Sequence, residues 1–380
     1  MIQMEYRSPL LAARIFTLLV FASILSVNVA CGSGGGTVLC QLPPCTVEQP
    51  KEFLYAASEN GEVLFLPVDT STGAVGDATS VAGPAVSLGI TAVASQFVYA
   101  SDFQSSQIYG YSINATSGAL SPMPGSPFAL GPLTVPNGLA AGPGSNLLYA
   151  TAGAGIDAFS LSSTGVPSLI IGSPFSSGGN LELAVDPSGK FLFAPVLEPP
   201  NGVFAFTIDS ATGILTAVPG SPFLFSGQTV FDSHPFGIVV DSTGQFVYVA
   251  LEGSNQVAAF SINTATGALA PVPGSPFPAG NTPFLLATTG RFLYLSNAGD
   301  GTVSGYSIDS MSGVLSPLTG SPYNIPSPAL VADPAGKFLF GTGGAGIYAF
   351  TINADGSLTP VSGSPFPAAI STALTIVQIN

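Results

Sequence analysis

An apolar triplet recurs seven times along this chain, and a unit repeated at this spacing leaves few folds open. The triplets are Phe53-Leu54-Tyr55, Phe97-Val98-Tyr99, Leu147-Leu148-Tyr149, Phe191-Leu192-Phe193, Phe246-Val247-Tyr248, Phe292-Leu293-Tyr294 and Phe338-Leu339-Phe340. Their starts lie roughly 44 to 55 residues apart, a period that belongs to propeller blades, solenoids or other arrays. The remainder of each unit chooses among these.

A second apolar run follows a short turn, at residues 63–68, 108–113, 156–161, 203–208, 257–262, 303–308 and 347–352. In Val257-Ala258-Ala259-Phe260-Ser261-Ile262 one face carries the aromatic and the last aliphatic, and the other carries Val and then small residues. Large residues against small ones suit a strand packed on both faces between neighbouring sheets. Next come a polar turn ending in glycine, such as Asp209-Ser210-Ala211-Thr212-Gly213, a third strand, and the phrase Gly-Ser-Pro-Phe/Tyr. That phrase starts at Gly125, Gly172, Gly220, Gly274, Gly320 and Gly363. Pro and Gly interrupt central strands but suit an exposed edge, so the third strand of each unit is predicted to be outermost. A fourth strand ends in a tight turn such as Asp186-Pro187-Ser188-Gly189, where Pro presets φ and the Asp oxygen accepts local N–H groups. Gly89, Gly138, Gly237, Ala287 and Ala332 recur in these fourth strands, as crowding around a central channel requires.

Four strands in each of seven units, with no amphipathic helix, predict an all-β, seven-bladed β-propeller over residues 53–380. The first unit begins at its second strand, and the chain ends on an orphan strand within 373–380. That strand is expected to lie innermost in the N-terminal blade and to close the ring.

Composition adds a location and excludes some partners. The chain is 46% hydrophobic and 7% charged, with 46 Gly, 34 Pro and no Trp, a core-rich and turn-rich β composition. Its formal net charge is -14, which disfavours nucleic acid and anionic membrane surfaces as partners. Residues 1–30 read as an export signal: Arg7 and Arg14 precede an apolar run at 15–27 that is short for a membrane span. Ala30-Cys31 followed by Gly32-Ser33-Gly34-Gly35-Gly36 reads as a lipoprotein cleavage site with a flexible tether over 31–52; plain secretion or an uncleaved anchor are the alternatives. Lipid on Cys31 would leave Cys40 and Cys45 to form a disulfide in an oxidising compartment such as the periplasm. Membrane association is then expected through the lipid anchor alone.

The repeated frame of Asp-Pro-Ser-Gly-Lys turn, Phe-Leu-Tyr-x-Ser-Asn, Gly-Thr-Val-Ser-Gly-Tyr and Thr/Ser-Gly-x-Leu resembles the lactonase family of seven-bladed propellers, relatives of 6-phosphogluconolactonase and carboxymuconate-lactonising enzymes. The resemblance spans residues 53–380 and implies the fold, and with it lactone hydrolysis as a candidate activity. His234-Pro235-Phe236 stands where family members often carry His-x-His, with Phe in place of the second His, and Asn297-Ala298-Gly299 stands where many read Asn-Arg-Gly. Lys190, Arg291 and Lys337 all precede a triplet, at the end of the ring opposite the hairpins that follow it. The hairpin end is thus predicted to lack a cation to hold an anionic substrate.

His234, with Asp232 two residues away, is a candidate general base; its bland alternative is an incidental loop histidine. Glu59, Asp102, Glu198, Glu252, Asn297 and Asp300 fall in or beside hairpins of five units and are candidates for a ligand-binding rim, or else solvated hairpin tips. Gly341-Thr342-Gly343-Gly344-Ala345-Gly346 matches the dinucleotide pattern, but the following residues repeat the strand of every other unit, where the motif needs a helix. No cofactor and no metal site are expected. Two functions remain: a binding module for a protein or a neutral or cationic small molecule, and a divergent lactone hydrolase using His234 with a loop carboxylate.

Overall fold

The computed structural model describes residues 37–39, 46–48, 51–130, 136–153, 155–178, 182–197, 201–227, 233–369 and 371–379. The chain divides into a unit of residues 1–51 and one of 52–379. In the first, Thr37–Leu39 and Thr46–Glu48 pair antiparallel, with Leu39 opposite Thr46.

The second unit is a ring of seven antiparallel sheets. Blade 5 shows the order: Pro235–Val240 innermost, Phe246–Leu251 second, Gln256–Ile262 third, and Leu269–Pro271 with Phe277–Pro278 outermost. Each innermost strand touches those of its two neighbours around the ring. Ser371–Ile379 lies beside Lys51–Ser58, followed outward by Glu62–Val68 and Thr79–Ala82. The C-terminal strand therefore completes blade 1 from the inside, as the order of units requires, starting two residues earlier than the sequence suggested.

Why the blades stay together follows from the two apolar strands of each unit. All six residues of Phe246–Leu251 are buried, since neighbouring blades cover both faces. Seven hydrophobic clusters result, each shared by two adjacent blades, such as Phe193 and Val203 with Val247 and Phe260. A phenol adds direction to five of these junctions. Tyr55, Tyr149, Tyr248 and Tyr294 donate to the carbonyls of Gly118, Gly213, Gly313 and Gly356 in the next blade at 2.8, 3.3, 3.1 and 2.7 Å, and Tyr99 does so to Gly165. Burial pushes all five phenols well above their ordinary pKa. Gly118 adopts φ +72°, and a Cβ there would come within 2.4 Å of the Phe53 ring, so the junction needs glycine twice over.

The Gly-Ser-Pro phrase sits at the outer edge, as expected, but it breaks the outermost strand rather than belonging to it. Each Ser–Pro peptide is cis, and the serine hydroxyl takes over where the ladder is lost. Ser126, Ser275 and Ser364 Oγ accept the N–H of Gly110, Ala259 and Ala349 in the third strand at 2.9, 2.8 and 3.0 Å, so no edge donor is left bare at the break. At the inner turns, Asp186 Oδ1 accepts the N–H groups of Lys190 and Phe191, both at 2.7 Å. Asp241 and Asp333 repeat this.

Candidate functional site

Strand direction gives the ring two unlike ends. Turns from innermost to second strand and from third to outermost strand occupy one, the turn face. Hairpins from second to third strand, and the segments entering each innermost strand, occupy the other, the loop face. Lys190, Arg291 and Lys337 lie at inner turns, and Lys51 starts a second strand at the same end. Among the described residues the loop face thus has no Lys or Arg. Arg291 is held at the turn face, donating to the Ala354 carbonyl at 2.9 Å and lying over the Phe292 ring.

On the loop face the register of blade 5 brings two of the sequence candidates together. Pro235 pairs with Leu251, so one step beyond the ladder His234 faces Glu252. The His234 Nδ1 and Glu252 Oε2 atoms are 2.7 Å apart, with 56% and 31% of the side chains exposed. His234 sits at φ +36°, a left-handed backbone uncommon for a residue with a side chain. Its carbonyl accepts the Glu252 N–H at 3.1 Å. Next to it Ser233 is fully buried and accepts a hydrogen bond from Asn201 Nδ2 at 2.9 Å, while Asn201 Oδ1 is buried without a partner.

The other candidates among the described residues do not join this pair. Glu59 is exposed at its hairpin. Asp102 is buried and accepts the N–H groups of Gln104 and Ser105 at 3.0 and 3.2 Å. Asn297 is buried, its amide donating to Thr302 and Ser304 and accepting from Gly280 N–H; it serves its own hairpin instead of presenting a free rim group. Asp300 accepts the Asn281 N–H at 2.6 Å. Asp232, Glu198, Cys31, Cys40 and Cys45 lie outside the described residues. Among the described residues no group of three His, Cys, Asp or Glu is placed to hold a metal ion. The glycine-rich run at 341–346 is a hairpin between the strands Phe338–Gly343 and Gly346–Ile352.

Phe236, the residue at the second-histidine position, stacks on Phe284 of blade 6 with ring centroids 3.9 Å apart. Both innermost strands shift register beside these rings, between Pro235 and Ile238 and between Pro283 and Leu286. A Cβ on Gly237 would lie 2.3 Å from the Phe284 carbonyl oxygen, so glycine there lets the two strands approach.

Sequence reasoning missed one group. The innermost segments line an open central cavity of about 140 Å³, bordered by Leu374, Ile90, Leu139, Ile238, Leu286 and Leu330 from six blades, whose side chains pack into the clusters between blades, and by Glu182 from blade 4. Glu182 is the one charged residue in those segments, a signal visible in the sequence once the strands are known to converge. Glu182 is half-buried, and desolvation pushes its carboxyl up to about 8, against a lowering pull from the Leu183 backbone N–H. A larger recess of about 640 Å³ opens on the turn face of blades 2 to 4, lined by uncharged turn residues such as Gln96, Asn146 and Ser188. Two of its hydroxyls serve the turns themselves: Ser145 donates to Gly142 and Ser188 to Asp186.

Comparison with known proteins agrees with this architecture. Residues 171–282 match the family model described as Lactonase, 7-bladed beta-propeller. Over 93 residues the chain is 29% identical to a 6-phosphogluconolactonase of Formosa agariphila, a match spanning 24% of each protein. Among solved structures, a candidate 6-phosphogluconolactonase of Bacteroides fragilis is similar over 88% of this chain and 99% of its own, at 18% identity and TM-score 0.70. The periplasmic gluconolactonase of Pseudomonas aeruginosa is similar over 87% and 100%, at 17% identity and TM-score 0.64. At these identities the structural likeness establishes the fold, and the chemistry has to come from the site.

Proposed function

On the premise that this chain carries a lactonase-family seven-bladed propeller, we propose that it is an exported binding module. Its loop face takes neutral or cationic ligands, and a lipid on Cys31 tethers it to the membrane. The observation that carries this reading is the placement of the cations: the described Lys and Arg residues all stand at the turn face, so Glu59, Asp102, Glu252 and Asp300 share the loop face with the Phe236–Phe284 stack and with no described Lys or Arg. A phosphorylated sugar lactone would meet carboxylates there and no guanidinium or ammonium to pair with.

A second reading, lactone hydrolysis, is favoured by the 2.7 Å contact of His234 with Glu252. In it Nδ1–H donates to Glu252, which leaves Nε2 to take a proton from water. The hydroxide adds to the carbonyl carbon of an uncharged lactone, the ring C–O bond breaks, and the imidazolium returns its proton to the leaving alkoxide. Both readings exclude the phosphorylated substrate. Hydrolysis of gluconolactone and of 6-phosphogluconolactone by wild type and His234→Ala at near-neutral pH tests them together. Neither lactone turned over above background supports the binding module. Saturable turnover of gluconolactone alone, lost in the variant, supports the second reading, and saturable turnover of the phosphorylated lactone contradicts both.

A further inference from the structure

Blade 3 lacks a carboxylate at both of its turn-face turns. At the inner turn Asp186, Asp241 and Asp333 gather the N–H groups of blades 4, 5 and 7. Gly142 stands at that position in blade 3, its N–H donating to the Leu147 carbonyl at 3.2 Å as the Asp186 N–H does to Phe191. At the outer turn Ser162 replaces Asp209 of blade 4, and three residues separate Ser162 from Val166 where four separate Asp209 from Ile214. Blade 2 adds a short inner turn, with Val93 paired to Phe97 across three residues where Asp186 reaches Phe191 across four. Shortened turns and missing side chains open the recess of about 640 Å³ between these blades. We propose that this recess binds a neutral oligosaccharide of two or three rings. The proposal is independent of the loop-face reading, since the recess lies at the opposite end of the ring.

Size and chemistry narrow the ligand to this class. The volume falls within the roughly 300–1,000 Å³ of small-molecule sites and holds roughly twenty waters at ~30 Å³ each, the space of two or three sugar rings. No Asp, Glu, Lys, Arg or His lines it, so a charged ligand finds no opposite charge there. Its free polar groups are those that pair with sugar hydroxyls. Asn146 Nδ2 donates to the Leu161 carbonyl at 3.0 Å, which fixes the amide and leaves Oδ1 to accept. The side chains of Gln96, Ser163 and Ser210 make no hydrogen bond to a described residue, and amides and hydroxyls both donate and accept. Beside them Phe97 and Ile208 are half-buried, an apolar surface for the C–H side of a sugar ring.

Other uncharged ligands fit less well. A purely apolar one would strip water from the amides and hydroxyls without replacing it. An extended peptide needs a row of free backbone groups, and here the turns use their own: the N–H groups of Ser145, Gly165 and Gly189 donate to the carbonyls of Gly142, Ser162 and Asp186. A single sugar ring reaches only one side of the recess. Because the pairing uses no charge, affinity should be the same at low and high salt, unlike that of a cation drawn by the acids of the loop face.

The test is calorimetric titration of the full chain with maltotriose, cellotriose and tri-N-acetylchitotriose, against glucose as the single ring and trigalacturonate as the anionic comparison. At least one neutral trisaccharide is expected to bind saturably, about tenfold or more tightly than glucose or trigalacturonate, and equally at low and high salt. Gln96→Ala and Ser163→Ala, both at exposed turn positions, should each weaken it about fivefold, the worth of one hydrogen bond. Gly142→Asp combined with Ser145→Gly rebuilds the Asp-Pro-x-Gly turn of blade 4 and should abolish binding; the second change makes room, since a Cβ on Gly142 would lie 2.3 Å from the Ser145 hydroxyl. If that variant does not fold, the two alanine variants carry the test. Phe236→Ala separates the two ends of the ring. Its binding is expected to match wild type, whereas loss there with Gln96→Ala unaffected would seat the ligand on the loop face, overturning the recess site and leaving the loop-face reading intact. No saturable binding of any of the three neutral trisaccharides, equal binding of trigalacturonate, or unchanged binding by both Gln96→Ala and Ser163→Ala would also overturn the proposal.

Discussion

The hydroxyl of Tyr248 crosses a blade junction to the Gly313 carbonyl at 3.1 Å, while Phe193 and Phe340 hold the corresponding place without one. Removing it leaves a buried carbonyl without that donor, so Tyr248→Phe should lower stability by about 1 kcal/mol. A lower urea midpoint with an unchanged slope is the outcome to look for. Glu52 acts through pH instead. It is buried, one carboxyl oxygen lacks a partner, and desolvation followed by the nearby Asp333 charge raises it from the ordinary 4.5 to about 7, against a lowering pull from Lys337. The folded state therefore holds a proton that the unfolded state has already lost, and this stabilising difference is complete below about pH 4.5 and disappears as pH rises to about 7. Glu52→Gln should flatten the fall in melting temperature between pH 5 and 8, by an amount on the order of 2 kcal/mol once solvent screening is allowed for.

At the scale of the element, the C-terminal strand Ser371–Ile379 carries the closure, with Ala373, Val377 and Ile379 buried against blades 1 and 2. Deleting residues 371–380 opens the inner edge of Lys51–Ser58, and an unpaired strand edge invites pairing with other chains. The truncated chain should aggregate or melt well below the full one by circular dichroism and light scattering, and an unchanged melt would contradict the closure. Much of the element level was legible in the sequence because blades are built from local signals. The Asp-Pro-Ser-Gly turns, the small residues facing Phe260 and the orphan terminal strand each follow from residues within one or two units. The broken outer strand was not fully legible. That Ser275 Oγ accepts the Ala259 N–H across 16 positions depends on the path of the chain around Pro276, which composition leaves open. The pairing of His234 with Glu252, 18 positions along the chain, depends on hairpin register. The weight of Glu182 emerges only where seven distant strands converge, and no local pattern carries that.

At the scale of the whole molecule, acids stand at both ends of the ring but the described cations stand at one: Lys and Arg lie among the acids of the turn face, while the loop face carries acids and an aromatic stack without them. A net charge of -14 gives the molecule a long-range field that favours cations and repels phosphates, most strongly at low salt, and at the loop face no described Lys or Arg offsets it. Ligand charge, more than ligand shape, is therefore what the account makes decisive. Glucosamine, glucose and glucose 6-phosphate are matched in size and differ in charge, and a ligand that binds the folded state raises its melting midpoint in proportion to occupancy and affinity. Measured by thermal shift at equal concentration and low ionic strength, the midpoint should rise most with glucosamine, less with glucose and least with glucose 6-phosphate. The largest rise with glucose 6-phosphate would contradict the account.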